Sequence, residues 1–354
     1  MKNSLLFLFI SLILFSCKTN NYLNHELNNL GFKSVVIDTL FKDKISIRAI
    51  LIDGNKIWYA ADKGKFGFYD LNLKSKVEKS IENDTVNLEF RSIAQTRNNI
   101  FIINVGNPAL LYKISKSMLS KQIVYQEKDE KVFFDSMQFW DDNDGIAMGD
   151  PVSNCLNVIL TKDGGNSWSK VSCEKLPKVA VGEAAFAASN TNIILKNNNA
   201  WIVSGGVKSR VFYSPDRGSN WSVYETPIIQ GKAMTGIFTA DFYDFRNGFI
   251  AGGDYELPNQ NVANKAITTN GGKKWKLIAN EQAFGYASCV QFMLESNGRA
   301  LVTVGTSGLF YSNSAGKKWT KLLNDSSLYT LRFIDKNNAV AAGKDKMIHI
   351  KFRN

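Results

Sequence analysis

The sequence predicts an all-β fold, a single β-propeller of seven blades. Two observations carry this prediction. An eight-residue pattern that ends in tryptophan occurs four times, at the spacing of a repeated hairpin turn. Short β-rich runs, separated by Gly, Asn and Asp, recur after residue 32 without convincing helical periodicity. The regular return of one supersecondary unit indicates a repeat architecture, and a closed ring fits antiparallel units of this kind.

Each copy of the repeated turn begins with a hydroxyl residue. Asp, Asn or Ser follows two positions later, then Gly after two more, then Trp. The copies are residues 161–168, 214–221, 268–275 and 312–319, with Asp163, Asp216, Asn270 and Ser314 at the third position and Trp168, Trp221, Trp275 and Trp319 at the last. A short side-chain acceptor can bind backbone N–H groups of its own turn, and Gly adopts the positive φ that the turn needs. We therefore give these residues a structural role, with all four Trp side chains buried between neighbouring sheets.

The strands form seven units, each with an apolar first strand and a second strand that usually ends at Gly. We place the first strands at residues 46–52, 90–95, 135–140, 184–188, 236–243, 286–292 and 328–334, and the second strands at 56–61, 100–105, 145–149, 200–205, 248–252, 300–305 and 339–343. The additional run 33–40 is expected to pair with the unit that begins at Leu328 and close the ring. Six or eight blades remain open, because the first two units lack the repeated turn.

The N-terminal residues resemble a secretion signal. Lys2 precedes an apolar run over residues 5–15, which is too short to span a membrane, and Ser16-Cys17 follows. Residues 14–17 resemble a bacterial lipobox, in which Cys17 becomes the lipidated mature N-terminus; an ordinary signal peptide is the alternative. We therefore expect a signal peptide over 1–16, a polar tether over 17–32 and the propeller over 33–354, in an exported protein anchored to a membrane, periplasmic or on the cell surface.

Cysteine and histidine usage argues against a metal centre or cofactor. The chain has four Cys and two His residues, and none shows zinc-ligand spacing. Cys155 and Cys173 flank the first repeated turn, and the spacing leaves open whether they form a disulfide. The formal net charge of +11 comes mostly from scattered lysines. This pattern fits a solvated surface better than a nucleic-acid site, and we expect a monomer without a nucleic-acid partner.

The candidate binding site is the end of the ring where first strands begin and second strands end. The loops there vary in length, whereas the repeated turns at the other end do not, which is typical of a scaffold with one binding face. The polar side chains expected at that end are Arg48, Arg91, Asp135, Asp150, Glu183, Arg210, Asp254, Tyr255 and Tyr286. The alternative is that these residues only solvate the channel and pair with one another.

The repeated turn resembles the Asp-box (BNR) repeat of β-propellers, and residues 33–354 resemble the photosystem II stability/assembly factor family. The matching segments are the four turns and the strand ends at 145–150 and 248–254. Residues 182–189 look like a sub-group of exported bacterial proteins loosely labelled oxidoreductases, but we find no dinucleotide or flavin motif. The resemblance implies a non-enzymatic scaffold that binds a protein partner in the cell envelope, although the basic patch of the photosynthetic members is not reproduced here.

Sialidases are the competing class, because they share the repeat and the fold. Their chemistry needs three arginines around a carboxylate and a Tyr nucleophile with a Glu partner. Arg91 and Arg210 are candidates for two of the arginines, and Glu183 with Tyr286 for the nucleophile pair. A third arginine is missing from the expected face. A sialidase-like glycoside hydrolase or a glycan-binding propeller is therefore the alternative function.

Overall fold

The computed structural model describes residues 31–83 and 86–354, and their regular secondary structure is almost entirely β-strand. The predicted signal peptide, Cys17 and most of the tether lie outside these residues. The strands are β1 (Ser34–Asp53), β2 (Lys56–Ala61), β3 (Lys65–Asp70), β4 (Ser75–Ser80), β5 (Phe90–Gln95), β6 (Asn99–Asn104), β7 (Ala109–Ser115), β8 (Lys121–Glu127), β9 (Phe134–Phe139), β10 (Gly145–Gly149), β11 (Asn157–Thr161), β12 (Ser169–Lys170), β13 (Glu183–Ala184), β14 (Ile193–Lys196), β15 (Asn199–Val203), β16 (Gly205–Gly206), β17 (Arg210–Ser214), β18 (Ser222–Glu225), β19 (Thr235–Phe242), β20 (Gly248–Asp254), β21 (Lys265–Thr268), β22 (Lys276–Leu277), β23 (Cys289–Phe292), β24 (Leu301–Gly305), β25 (Gly308–Ser312), β26 (Thr320–Leu323), β27 (Leu328–Phe333) and β28 (Asn338–Arg353). One 3-10 helix covers Cys173–Lys175. Within the described ranges we find no helix with the length and apolarity that a membrane span requires.

The strands form six hydrogen-bonded sheets, so the propeller has six blades and the prediction of seven is wrong. Four sheets have four strands: β5–β8, β9–β12, β23–β26, and β14 with β15, β17 and β18. A fifth sheet joins β13 and β16 to β19–β22. The sixth has the order β27-β28-β1-β2-β3-β4. Two predicted units merge in this last sheet, because the long strand β1 continues from one into the other without a break.

The ring closes where the two ends of the described chain meet, as predicted. The first half of β1 pairs antiparallel with β28, from Ser34 opposite Arg353 to Ser46 opposite Lys344. Its second half pairs with β2. Phe32 packs on the rings of Tyr311 and Phe352, at 5.3 and 5.4 Å between ring centroids.

The hydrophobic core lies between adjacent sheets. In one such layer, Phe101 and Ile103 of β6 pack with Phe134 and Met137 of β9. All four side chains are fully buried. Successive side chains of a strand point to opposite faces of its sheet, and each face packs against a neighbouring blade. Both faces of a blade are therefore apolar.

The repeated turns share one hydrogen-bond pattern at the lower end of the ring, which we define as the end that carries them. In the first turn, Gly165 N–H donates to Thr161 Oγ1 at 3.0 Å and Ser167 N–H donates to Asp163 Oδ1 at 3.0 Å. The residue after the acceptor has positive φ in all four copies, and its N–H donates to the carbonyl of the turn between the first and second strands of the same unit. The third-position side chain therefore organises each turn, whether it is Asp, Asn or Ser.

The four tryptophans occupy equivalent positions but are not equally buried. Trp168 is 7% exposed. Trp221, Trp275 and Trp319 are half-buried, so the prediction of four buried tryptophans is wrong for these three. The indole N–H of each of the three donates to the Gly carbonyl of its own turn, at 2.8 to 3.0 Å. These indoles are therefore anchored to their own turns and only partly covered.

The prediction of a first strand over residues 184–188 is also wrong. After β13 the chain leaves the sheet and passes through the centre of the ring, where Ser189 and Asn190 bond to other sheets, before it enters β14. We call residues 185–192 the axial segment. Its first half contains the three alanines 185, 187 and 188, whose small side chains allow the backbone to pass through the crowded centre.

A disulfide links Cys155 to Cys173, with the Cα atoms 5.6 Å apart. It joins the loop after β10 to the 3-10 helix. The sequence spacing left open whether these two cysteines are bonded, and the structure shows that they are. The remaining described cysteine, Cys289, is a buried thiol in β23.

Candidate binding pocket at the upper end of the ring

A pocket of about 380 Å³ opens at the upper end, close to the axis. Its wall is assembled from the starts of first strands and the ends of second strands, the region predicted for a binding site. Five of the nine predicted residues line it: Arg48, Arg91, Asp150, Tyr255 and Tyr286. We call this cavity the upper pocket.

One wall of the upper pocket is aromatic. Phe186 of the axial segment stacks on Phe238 of β19, with centroids 3.8 Å apart and planes 7° apart. Tyr286 meets Phe238 edge-on at 4.8 Å and Tyr255 at 5.2 Å. Tyr255 is 45% exposed at the rim, whereas Tyr286 is 4% exposed. This wall presents ring faces and edges to any apolar group that enters.

Two arginines face the aromatic wall. The Arg48 guanidinium lies 4.3 Å from the centroid of the Tyr329 ring and donates to the Ala188 carbonyl at 3.3 Å. Arg91 donates through Nε to Glu89 Oε1 at 2.7 Å. Within the described residues, no hydrogen bond uses the Nη atoms of Arg91. Those N–H groups remain free to bind an incoming carboxylate or carbonyl oxygen.

A pair of buried carboxyl groups lies behind Arg91. Asp150 lines the pocket and accepts the Ala185 N–H at 2.8 Å. Burial raises the pKa of Asp150 to about 6. Asp135 is fully buried, and neither of its oxygens has a hydrogen-bond partner within the described part of the chain. Burial, followed by repulsion from Asp150, raises the pKa of Asp135 well above its ordinary value.

The axial segment forms the floor of the upper pocket and closes the channel beneath it. Asn190 donates to the Ile93 carbonyl at 2.8 Å and accepts from Ser136 Oγ and Met137 N, both at 3.1 Å. Ser189 donates to the Ser288 carbonyl. These bonds connect the axial segment to the first strands of three other sheets. The upper pocket is therefore closed at its base and open at the upper end.

The remaining predicted residues lie elsewhere. Glu183 and Arg210 form a short ion pair, with Ser204 Oγ donating to Glu183 Oε1 at 2.6 Å. The Glu183 side chain is fully buried. Asp254 is 2% exposed and accepts the N–H groups of Glu256 and Leu257 at 2.9 and 3.1 Å. These three residues hold loops in place around the upper pocket and do not line it.

Sequence reasoning missed most of the apolar lining, which consists of Phe133, Phe186, Met234, Phe238 and the alanines 184, 185, 187, 188 and 233. The search for a site considered polar side chains alone. A usable signal was Gly182-Glu183-Ala184-Ala185-Phe186-Ala187-Ala188, which is too rich in alanine for a first strand.

The sialidase arrangement proposed from the sequence is not assembled. Arg91 lines the upper pocket, but Arg210 is held by Glu183 outside it. Tyr286 lies among Phe238, Tyr255 and the two pocket arginines, and burial raises its pKa. Within residues 31–83 and 86–354, no group of three or more His, Cys, Asp or Glu side chains is placed to hold a metal ion.

No family model and no curated protein matches the chain. Solved structures share its fold. YCF48 bound to a D1 peptide is 12% identical with a TM-score of 0.66, over 92% of this chain and 97% of that one. YCF48 from Cyanidioschyzon merolae is 12% identical with a TM-score of 0.63, over 91% and 99%. A xyloglucanase of family GH74 from Xanthomonas campestris is 12% identical with a TM-score of 0.64, over 88% of this chain but only 53% of that one. The chain is a β-propeller whose fold resembles YCF48, a photosystem II assembly factor.

Proposed function

We propose that this protein is a non-catalytic scaffold that binds a segment of a partner protein in the upper pocket. The observation that carries the proposal is the combination, in one concave site, of an aromatic wall and two arginines. Such a site fits a peptide segment that presents an apolar side chain next to a carboxylate. That YCF48 was solved with a D1 peptide supports the idea that this fold can accept a peptide.

The surface around the upper pocket supports a macromolecular partner. The exposed apolar side chains Val181, Val207, Tyr255, Leu257 and Val262 belong to the loops at this end. Val207 packs against Gly182, so two of these loops are in contact. Exposed apolar groups around a pocket are typical of protein-binding sites.

The test is site-specific photo-crosslinking in the cells that produce the protein. A photoreactive amino acid at Tyr255 should capture one defined partner, while the same group at Leu73, exposed in the turn after β3, should not. The purified partner should bind Arg91→Gln about 30-fold more weakly than wild type, the loss expected of a central interface arginine. Equal capture from both positions, or unchanged binding by Arg91→Gln, contradicts the proposal.

The glycoside hydrolase alternative has its own assay. We expect no cleavage of a fluorogenic sialoside by the wild-type protein. Cleavage that both Arg91→Gln and Tyr286→Phe abolish would replace the scaffold proposal with an enzymatic one. Tight binding of a glycan that is not cleaved would favour the glycan-binding form of the alternative.

We also propose that the protein is exported and anchored through a lipid on Cys17, on the basis of the lipobox-like residues 14–17. Two or more acyl chains bury enough methylene groups for stable attachment. Cys17→Ala should move the protein from the membrane fraction to the soluble fraction. If the Cys17→Ala variant stays in the membrane fraction, the proposed lipid anchor is wrong.

A further inference from the structure

Seven exposed cations gather at the lower end of three consecutive units, those that begin at β19, β23 and β27. They are Arg246, Lys273, Lys274, Arg299, Lys317, Lys318 and Lys336. Within the described residues, none of them lies within 4.0 Å of a carboxylate oxygen. We call this surface the lower basic face.

Backbone hydrogen bonds hold these cations on one end of the ring. Gly271 N–H donates to the Arg246 carbonyl at 2.9 Å, which joins the third repeated turn to the turn after β19. Ala315 N–H donates to the Arg299 carbonyl at 2.7 Å in the next unit. Lysines 273, 274, 317 and 318 precede the tryptophans of these turns and share their rigid geometry. The backbone positions that carry the lower basic face are therefore fixed relative to one another.

The first and second repeated turns are different, because their cations lie next to carboxylates. Arg217 of the second repeated turn forms ion pairs with Asp141 and Asp144. Lys162 of the first turn lies 3.5 Å from Asp144. Among the repeated turns of the described chain, the cations without a carboxylate partner are thus those of the third and fourth.

Two large apolar side chains project among the free cations. Phe245 is 56% exposed in the turn after β19, next to Arg246. Leu294 is 47% exposed in the turn after β23. Apolar side chains at turn tips, surrounded by Lys and Arg, form the pattern by which proteins insert shallowly into a charged lipid interface.

The chain also enters the propeller at this end. Lys33 N–H donates to the Arg353 carbonyl at 2.8 Å, and Phe352 N–H donates to the Asn337 carbonyl at 2.9 Å. Asn337 lies next to Lys336 of the lower basic face. Residues 1–30, which include the apolar run and Cys17, therefore connect to the propeller beside this face.

We propose that the lower basic face docks on a membrane surface rich in anionic phospholipid, with Phe245 and Leu294 inserted among the headgroups. Docking in this orientation holds the upper pocket away from the bilayer, open to a partner. The proposal depends on the charges, the apolar turn tips and the point of entry of the chain. It does not depend on what the upper pocket binds.

The test is co-sedimentation of the full chain with vesicles, with Cys17→Ala in every version so that no acyl chain contributes. Vesicles are pure phosphatidylcholine or an equimolar mixture with phosphatidylglycerol. Because the apolar run at residues 5–15 can bind both kinds, the readout is the ratio of binding to anionic over neutral vesicles. The quadruple variant Lys273→Gln/Lys274→Gln/Lys317→Gln/Lys318→Gln should lower this ratio at least tenfold, since each cation near an anionic surface contributes about fivefold.

The matched control changes four exposed lysines at the upper end, Lys128, Lys131, Lys178 and Lys232, to Gln. It has the same net charge as the quadruple variant and should keep the wild-type ratio. Phe245→Ser should weaken binding to anionic vesicles about tenfold, whereas Ile123→Ser, at an exposed position of the outer strand β8, should not. An unchanged ratio in the quadruple variant, an equal loss in the control, or binding to heparin but not to vesicles overturns the proposal.

Discussion

The side chain of Asp163 carries most of the hydrogen bonds of the first repeated turn. It accepts from Thr161 Oγ1, from Ser167 Oγ and from the N–H groups of Asn166 and Ser167. These bonds, the one from Ser167 Oγ first, lower the pKa of Asp163 to about 2. The third and fourth turns keep the equivalent of the Ser167 N–H bond. Lys274 N–H donates to Asn270 Oδ1, and Lys318 N–H donates to Ser314 Oγ. The turn therefore needs an acceptor at this position, and a charge strengthens it.

Asp163→Ala should destabilise the protein by about 1 kcal/mol at neutral pH, after allowance for the exposure of the side chain. Asp163→Asn should lose less, because Asn270 supports the same turn. The folded pKa lies below the usual 3.8, so the contribution of the charge is present above pH 3.8 and is lost as the pH falls towards 2. Chemical unfolding of the wild type and both variants, at pH 7 and at low pH, measures these stability differences and their pH dependence. A wild-type advantage over Asp163→Asn that persists at the lowest pH contradicts the assignment.

Asp150 gives the opposite pH dependence. Its folded pKa of about 6 lies above the usual 3.8, so the folded protein binds this proton more tightly than the unfolded chain. The resulting stability is complete below pH 3.8 and is lost as the pH rises through about 6. Asp150→Asn should flatten the fall in stability over this interval. Thermal unfolding at several pH values checks the direction of this pH dependence. Asp129→Asn, at an exposed position, is the control.

At the scale of elements, the axial segment is the part that departs furthest from a regular blade. Its residues Ser189, Asn190, Thr191 and Asn192 are all buried, and Asn190 alone bonds two other sheets. Asn190 has a φ of 58°, a conformation that Asn and Gly tolerate better than other residues. The segment therefore couples the pocket floor to the ring.

Asn190→Gly should destabilise the protein by about 2–4 kcal/mol, because the Ile93 carbonyl, Ser136 Oγ and Met137 N–H lose their partner in a buried site. Glycine accepts the positive φ, so the loss reports the bonds and not strain. Asn197→Gly, at φ 53° in the exposed turn after β14, is the control and should be nearly neutral. Equal stability of the two variants would show that the axial segment is only loosely held.

The tryptophans differ in what their removal should cost. Trp168→Ala should destabilise by about 3–5 kcal/mol, since its ring is buried against Phe101 and Phe139. Trp221→Ala should cost less, because that ring is half-buried at the rim. Urea unfolding of both variants compares them directly. A larger loss for Trp221→Ala would contradict the difference in burial.

At the scale of the whole molecule, the sequence predicted the all-β propeller, the closure by β1 and most strands, because these depend on local periodicity and turn chemistry. It did not predict how many separate sheets result. The sequence of residues 34–53 does not indicate whether this segment forms one strand or two. Its continuity as β1 depends on pairing with distant strands. Five predicted residues line the upper pocket, but the partners of Glu183, Arg210 and Asp254 could not be read from spacing. The route of the axial segment depends on contacts with distant sheets.

The pairing of β1 with β28 has a consequence for biosynthesis. Of the described strands, β1 leaves the ribosome first, yet the first half of β1 pairs with β28, the last of them to be made. Until then it is a free strand edge, a known hazard for aggregation. The ring is therefore completed only after β28 has been made. A chain that crosses a membrane unfolded meets the same condition, because its ring can be completed only after β28 has crossed.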